Sequence, residues 1–211
     1  MAVRLLLKNT TFFQRERNHP SCRIHIDDHN AAATLAAALQ AYLSDPKFTG
    51  NFPVIACIGT DRSTGDALGP LTGSFLYERL AGTPIAIYGT LDQPVHATNL
   101  EAVAAEIMSR HKGRPVLAID ACLGKSENIG YITLKNGPLA PGTGVNKKLP
   151  QIGDFHIVGV VNVGGFMEYF VLQNTRLSLV MRMAQIIALA VTECLQTIIL
   201  PGSTPAWTAG S

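Results

Sequence analysis

The sequence predicts an α/β sandwich built on a mostly parallel sheet. Short apolar runs closed by glycine alternate with helix-forming stretches, and that alternation favours parallel pairing through crossovers. The runs are almost free of polar residues, as in strands buried on both faces. Of 211 residues, 47% are hydrophobic and 15% charged. That composition excludes intrinsic disorder, which needs the opposite balance. At this length one domain with a large core is the economical organisation. We assign residues 1–28 to an N-terminal arm, 29–200 to the domain and 201–211 to a disordered tail.

In chain order, the Ala/Leu-rich run Asn30–Leu43 predicts a helix, with Asp27 or Asp28 as its cap and Asp45-Pro46 as its end. Pro53–Gly59 (PVIACIG) predicts a buried strand. The loop TDRSTGDALGP leads into a helix over Leu71–Leu80, and Ile85–Thr90 is a second strand. Leu100–His111 reads as a helix capped by Asn99, and Pro115–Gly124 as a third, nearly all-apolar strand. Tyr131–Gly137 and Asp154–Gly165 are further strands, separated by the Gly/Pro-rich loop PLAPGTGVNKKLP. The run from about Gln173 to Leu200 predicts a long helix. It approaches the roughly 20 apolar residues that span a bilayer, but Arg176, Arg182, Gln185, Glu193 and Gln196 interrupt it. A charge at mid-bilayer costs about 2.5–3.5 kcal/mol, so a core helix is the expected reading. Phe166, Met167, Tyr169 and Phe170 are expected in the core or in a subunit interface.

Seventeen basic against 15 acidic side chains leave a net charge of +2. So small a surplus offers no electrostatic footprint for nucleic acid or an anionic membrane. The four cysteines, Cys22, Cys57, Cys122 and Cys194, are far apart, as in neither a disulfide scaffold nor a zinc site. They are read as reduced thiols in a cytoplasmic protein. The N-terminus lacks the h-region and cleavage site of a secretory signal.

In open α/β sheets ligands bind beyond the carboxyl ends of the strands. Two acids stand there: Asp66, in the loop after the first buried strand, and Asp120, directly after the apolar run VLAI. Two carboxyls converging on one crevice push their pKa values apart, so one holds a proton while the other acts as base. The alternative is that Asp120 caps a helix and Asp66 shapes a turn. Asp61 supplements the pair, pairs with Arg62, or caps a turn. Asn146 and Lys147 are placed to bind substrate or an oxyanion, or form a solvated turn. The loop after the first strand lacks the GxxxxGK[ST] of a phosphate loop. His96 and His156 with the two acids would offer O and N metal ligands, but no HxxxH or HxxE spacing supports this. Neither metal nor cofactor is expected. Cys122 is read as a small core thiol rather than a nucleophile.

IGTDRSTGDALGPLTG, YGTLDQPVHATNL, AIDACLG, GPLAPGTGVNKKLPQIGD and VNVGGFMEYFVLQNTRL together resemble the YyaC family of sporulation proteins, also called spore protease YyaC, over about Pro53–Met183. That family in turn is similar to the germination protease of spore-forming bacteria and, more distantly, to the hydrogenase maturation endopeptidases. The resemblance implies a phosphorylase/hydrolase-like three-layer α/β/α sandwich. It also implies an atypical aspartic endopeptidase, because the germination protease's TPDALGP-type and IDAL-type stretches map to Thr64–Pro70 and Ile119–Cys122, placing its two acids at Asp66 and Asp120. Its PGSGVGNK-type loop maps to Pro141–Lys147. Around the pair, Asp61, Thr64, Asn146, Lys147, His156 and Asn162 are taken as substrate-binding or supporting residues. The sequence departs from the germination protease at Gly65, where that enzyme has a proline, and in the charges of Asp61 and Arg62. No propeptide is identified in residues 1–50. The implied function is peptide-bond hydrolysis in the forespore or spore interior, on a protein or peptide substrate, with a homo-oligomer allowed. The alternatives are a metal-sensing maturation-type peptidase, whose acids Asp66 and Asp120 match but whose histidine does not, and a non-catalytic sporulation protein on the same fold.

Overall fold

Burial of apolar runs on both faces needs helices above and below a sheet, and the computed structural model has this arrangement. It describes residues 21–48, 51–142 and 149–199. The strands are β1 (Cys22–His25), β2 (Val54–Cys57), β3 (Ala86–Tyr88), β4 (Val116–Gly124), β5 (Tyr131–Asn136) and β6 (Phe155–Val163). The helices are α1 (Ala31–Leu43), α2 (Leu68–Arg79), α3 (Leu100–Arg110), α4 (Glu168–Gln173) and α5 (Leu177–Ile199). One six-stranded sheet runs in the order β1-β5-β6-β4-β2-β3. β3, β2, β4 and β6 are parallel, while β5 and β1 add an antiparallel edge. The fold class is the mostly parallel α/β sandwich that the alternation predicts.

Side-chain alternation divides the core in two. On one face Ile55, Cys57, Leu117, Ile119, Phe155 and Ile157 pack against α1, α2 and α5. On the other, Val54, Ala56, Ile58 and Ala118 meet Leu100 and Ile107 of α3. Helix α5 passes the length and hydropathy test for a membrane span, yet half of its most apolar window is buried inside the fold (50%). Val180, Met183, Ile187 and Val191 are at most 1% exposed. It is the core helix of the sandwich.

Four expectations need correction. Residues 22–25, assigned to the arm, form β1, which pairs with β5. Helix α2 begins at Leu68 rather than Leu71. Pro70 lies in its first turn, where its missing N–H costs nothing. The long final helix is interrupted between Gln173 and Leu177. There the Asn174 Nδ2 donates to Phe170 O at 2.8 Å and the Thr175 Oγ1 to Val171 O at 2.9 Å, side-chain bonds that compete with helix continuation. Of the two readings of Phe166, Met167, Tyr169 and Phe170, core or subunit interface, the exposures of 83%, 53%, 64% and 54% remove the first and leave the second. Residues 1–20 of the arm and the tail 201–211 lie outside the described residues. So do Asn146 and Lys147.

Candidate active site

The sheet ladder itself lays out the site. Strand β2 ends at Cys57, opposite Ile119, and Ile58 N–H still reaches Ile119 O at 2.7 Å. Asp120 is therefore the residue at which β4 leaves the β2 ladder. β4 itself continues to Gly124, the end that the sequence predicts, paired there with β6 alone. The step between a short strand and a long one opens a notch at the carboxyl end of the sheet, and the Asp120 side chain lies in it, 8% exposed.

The chain leaving β2 turns at Gly59 and returns through the 3₁₀ turn Gly65–Ala67, which carries half-buried Asp66. Gly59 has φ +143°, and a side-chain carbon there would overlap the Asp66 carbonyl. That carbonyl accepts the Thr60 N–H at 3.1 Å. The Thr64 carbonyl accepts the Ala67 N–H at 3.3 Å, and the Thr64 side chain does not cap the turn. Thr64 thus supports the turn through its backbone. Gly65 sits directly against the α4–α5 junction. A side-chain carbon on it would come within 2.8 Å of Leu172 Cδ2 and Thr175 Oγ1. At the position where the resemblance has a proline, a side chain would have to push the Leu172 or Thr175 side chain aside.

Burial raises the pKa of the Asp66 carboxyl, while the Thr60 amide and His96 pull the other way by favouring its ionised form. Asp120 is pushed well above the usual carboxylate range, first by burial and then by the negative charge of Asp66. Only the Ala121 N–H, 2.8 Å from Oδ1, opposes this. The two acids therefore sense each other electrostatically. The more deeply buried one is the natural holder of a proton.

The histidines separate. Val95 bridges Ile58 in parallel beyond the end of β2, and Gly59 N–H donates to Val95 O at 2.8 Å. This delivers His96 to the Asp66 loop. Thr98 holds its Nδ1, with Oγ1 at 2.8 Å and a backbone N–H at 3.4 Å. The Asn99 side chain does not cap α3; its Oδ1 accepts the His96 N–H at 2.8 Å instead. His156, by contrast, is level with Ala118, two residues short of Asp120, and its Nδ1 bonds Gly137 O at 2.8 Å. It belongs to the β5–β6 hairpin and does not join the acids. Among the described residues no group of three His, Cys, Asp or Glu side chains is placed to hold a metal ion.

Asp61 is exposed and receives the Thr60 hydroxyl at 3.4 Å. Cys122 is pushed up to about 11 by burial and by the charge of Asp120, which fits a protonated thiol rather than a nucleophile. Asn162 points away from solvent chemistry. Its Nδ2 donates to Val171 O and to Thr175 Oγ1, each at 3.2 Å.

Residues 23–190 match the family model described as "Protein of unknown function (DUF1256)". The chain belongs to this family. It is 52% identical over 158 residues to the Bacillus subtilis (strain 168) protein "Uncharacterized protein YyaC", a match covering 74% of this chain and 77% of that one. The resemblance read from the motif stretches is therefore correct at the level of the family. Among solved structures, the [NiFe] hydrogenase maturation protease HycI from Thermococcus kodakarensis KOD1 aligns with a TM-score of 0.49 and 21% identity. That alignment covers 75% of this chain and 98% of the HycI chain.

Proposed function

We propose that this protein is an endopeptidase of sporulation or spore germination in which Asp66 and Asp120 share one proton and activate water against a peptide bond. The observation that carries the reading is the buried Asp120 carboxyl, disfavoured as an anion both by burial and by the charge of Asp66. Unequal surroundings assign the roles. Asp66, with the Thr60 amide and His96 favouring its charge, is the base; Asp120 keeps the proton and is the acid. Water gives a proton to Asp66 as its oxygen bonds the carbonyl carbon, while Asp120 protonates the carbonyl oxygen. Collapse of the tetrahedral intermediate then breaks the C–N bond: Asp66 returns its proton to the departing amine while Asp120 takes one back from a hydroxyl of the gem-diol, which restores the pair and leaves the new carboxyl group. Pairs whose environments split their pKa values perform such work elsewhere. The motif match of Thr64–Pro70 and Ile119–Cys122 to the germination protease supports the same assignment and is the ground for proposing the forespore or spore interior as its setting. The required partner is a polypeptide substrate.

Asp66→Asn and Asp120→Asn, each assayed for cleavage of spore proteins, test this reading. Each should lower the rate by at least about 100-fold, the usual contribution of one acid or base group. Full activity in either variant, or no cleavage by the unmodified protein, overturns it.

A further inference from the structure

Asn162 and Thr175 touch neither acid, yet both lie on the support of Asp66. β6 carries a bulge at Val161, where the register with β4 moves from Cys122↔Val160 to Leu123↔Asn162. Bulges beside active sites commonly re-aim the next side chain. Asn162 Oδ1 accepts the Val163 N–H at 2.9 Å. This fixes the amide so that Nδ2 faces the α4–α5 junction, bonding Val171 O and Thr175 Oγ1 at 3.2 Å each. Thr175 is 6% exposed and passes its own proton to Val171 O at 2.9 Å. This closed triangle holds Leu172 and Thr175 against Gly65, the residue before Asp66, with no room for a side chain between them.

We propose that Asn162 and Thr175 are positioning residues, locking the α4–α5 junction against Gly65 and thereby holding the Asp66 turn in electrostatic reach of Asp120. The inference rests on the acid-pair reading above and extends it to two residues that contact no reacting atom. If the junction shifts, the 3₁₀ turn loses its backstop and Asp66 moves relative to β4. The separation between the two carboxyl titrations then shrinks. The groups bearing on that titration are the Thr60 amide and His96 at Asp66, and the Asp66 charge and the Ala121 amide at Asp120. None belongs to the triangle.

The test is carboxyl 13C NMR titration of the full chain labelled at aspartate, which reads the pair whether or not substrate is known. In the unmodified protein Asp66 and Asp120 should titrate as a coupled pair, their steps separated by more than about one pH unit. Asn162→Ala and Thr175→Val should bring the separation below about one unit, and Thr175→Ser should retain it. Gly65→Ala pushes on the same contact from the other side without removing a hydrogen bond, and should give the same loss. It also decides the matter if Asn162→Ala does not fold. An unchanged titration in folded Asn162→Ala or Gly65→Ala overturns the proposal. An unmodified protein that cleaves nothing but shows the coupled titration, lost in these variants, would sink the endopeptidase reading and leave the positioning role standing.

Discussion

The backbone carbonyl of Asp66 occupies the space that a side chain on Gly59 would need. Gly59 also sits at φ +143°, a region that residues with a Cβ enter only under strain. The two facts have one cause. The chain must reverse within a few residues of β2 to bring Asp66 back over the notch, and only glycine lets the returning 3₁₀ turn lie so close. Gly59→Ala should therefore cost about 3 kcal/mol or more, combining backbone strain with displacement of a neighbouring carbonyl. Urea unfolding at pH 7 measures this. A loss under about 1 kcal/mol would show that the turn relaxes freely.

That relationship also marks how far the sequence can be read. The strands around the site are legible because their apolar runs are unbroken, and Asp66 and Asp120 are legible because each follows such a run. What places them together is not written locally. His96 reaches Asp66 only because Val95 bridges Ile58, a pairing distant in sequence. Thr175 has no local signature at all; it matters through Gly65, which the sequence shows only as a departure from a proline. His156 looked equivalent to His96 until the β4–β6 register set it two residues short of Asp120. The aromatic cluster at 166–170 reads as core or interface because hydrophobicity is all the sequence displays, and it does not say which; the break at Asn174–Thr175 likewise depends on side-chain bonds to Phe170 O and Val171 O.

Asp120→Asn should separate stability from activity. A carboxyl whose pKa is raised on folding contributes stability that is fully present below the unfolded value of about 3.9. That contribution is lost as pH rises through the folded value. At pH 7 the site therefore carries the cost of a buried ionisable acid, and a neutral amide of the same shape avoids it. The variant should melt higher than the unmodified protein at pH 7 and lose that advantage near pH 4, while hydrolysis falls. Calorimetry at the two pH values checks it, and a variant less stable than the parent at both would contradict the burial argument.

On the opposite end of the sheet, His111 predicts acid sensitivity. Its Nδ1 faces Arg114 NH1 at 3.2 Å. Since a guanidinium only donates, Nδ1 accepts, and Nε2–H is left for the Tyr88 hydroxyl at 3.0 Å. Burial, then Arg114 and Arg110, hold the His111 pKa below its ordinary value. A base depressed on folding binds fewer protons folded than unfolded. Its stabilising contribution is complete above the unfolded value of about 6.5 and declines as pH falls toward the folded one. Stability should fall between pH 7 and pH 5, and His111→Gln should flatten part of that slope. His156, also depressed by burial, should account for a further part, so the double variant should be flatter than either single one. A slope unchanged in the double variant would place the acid sensitivity elsewhere.

Cys122 offers a chemical view of Asp120 that needs no substrate. Burial and the Asp120 charge push its thiol up to about 11, so at pH 8 only about one molecule in 1,000 carries the reactive thiolate. Alkylation by iodoacetamide, followed by mass spectrometry, should leave Cys122 nearly unmodified in the native protein. Asp120→Asn then reads the protonation state that the acid role requires. A protonated Asp120 carries no charge to remove, so the variant should alkylate Cys122 about as slowly as the unmodified protein, because burial, the first cause of the shift, remains. A severalfold faster reaction in Asp120→Asn would show that Asp120 is ionised at pH 8 and does not hold the shared proton.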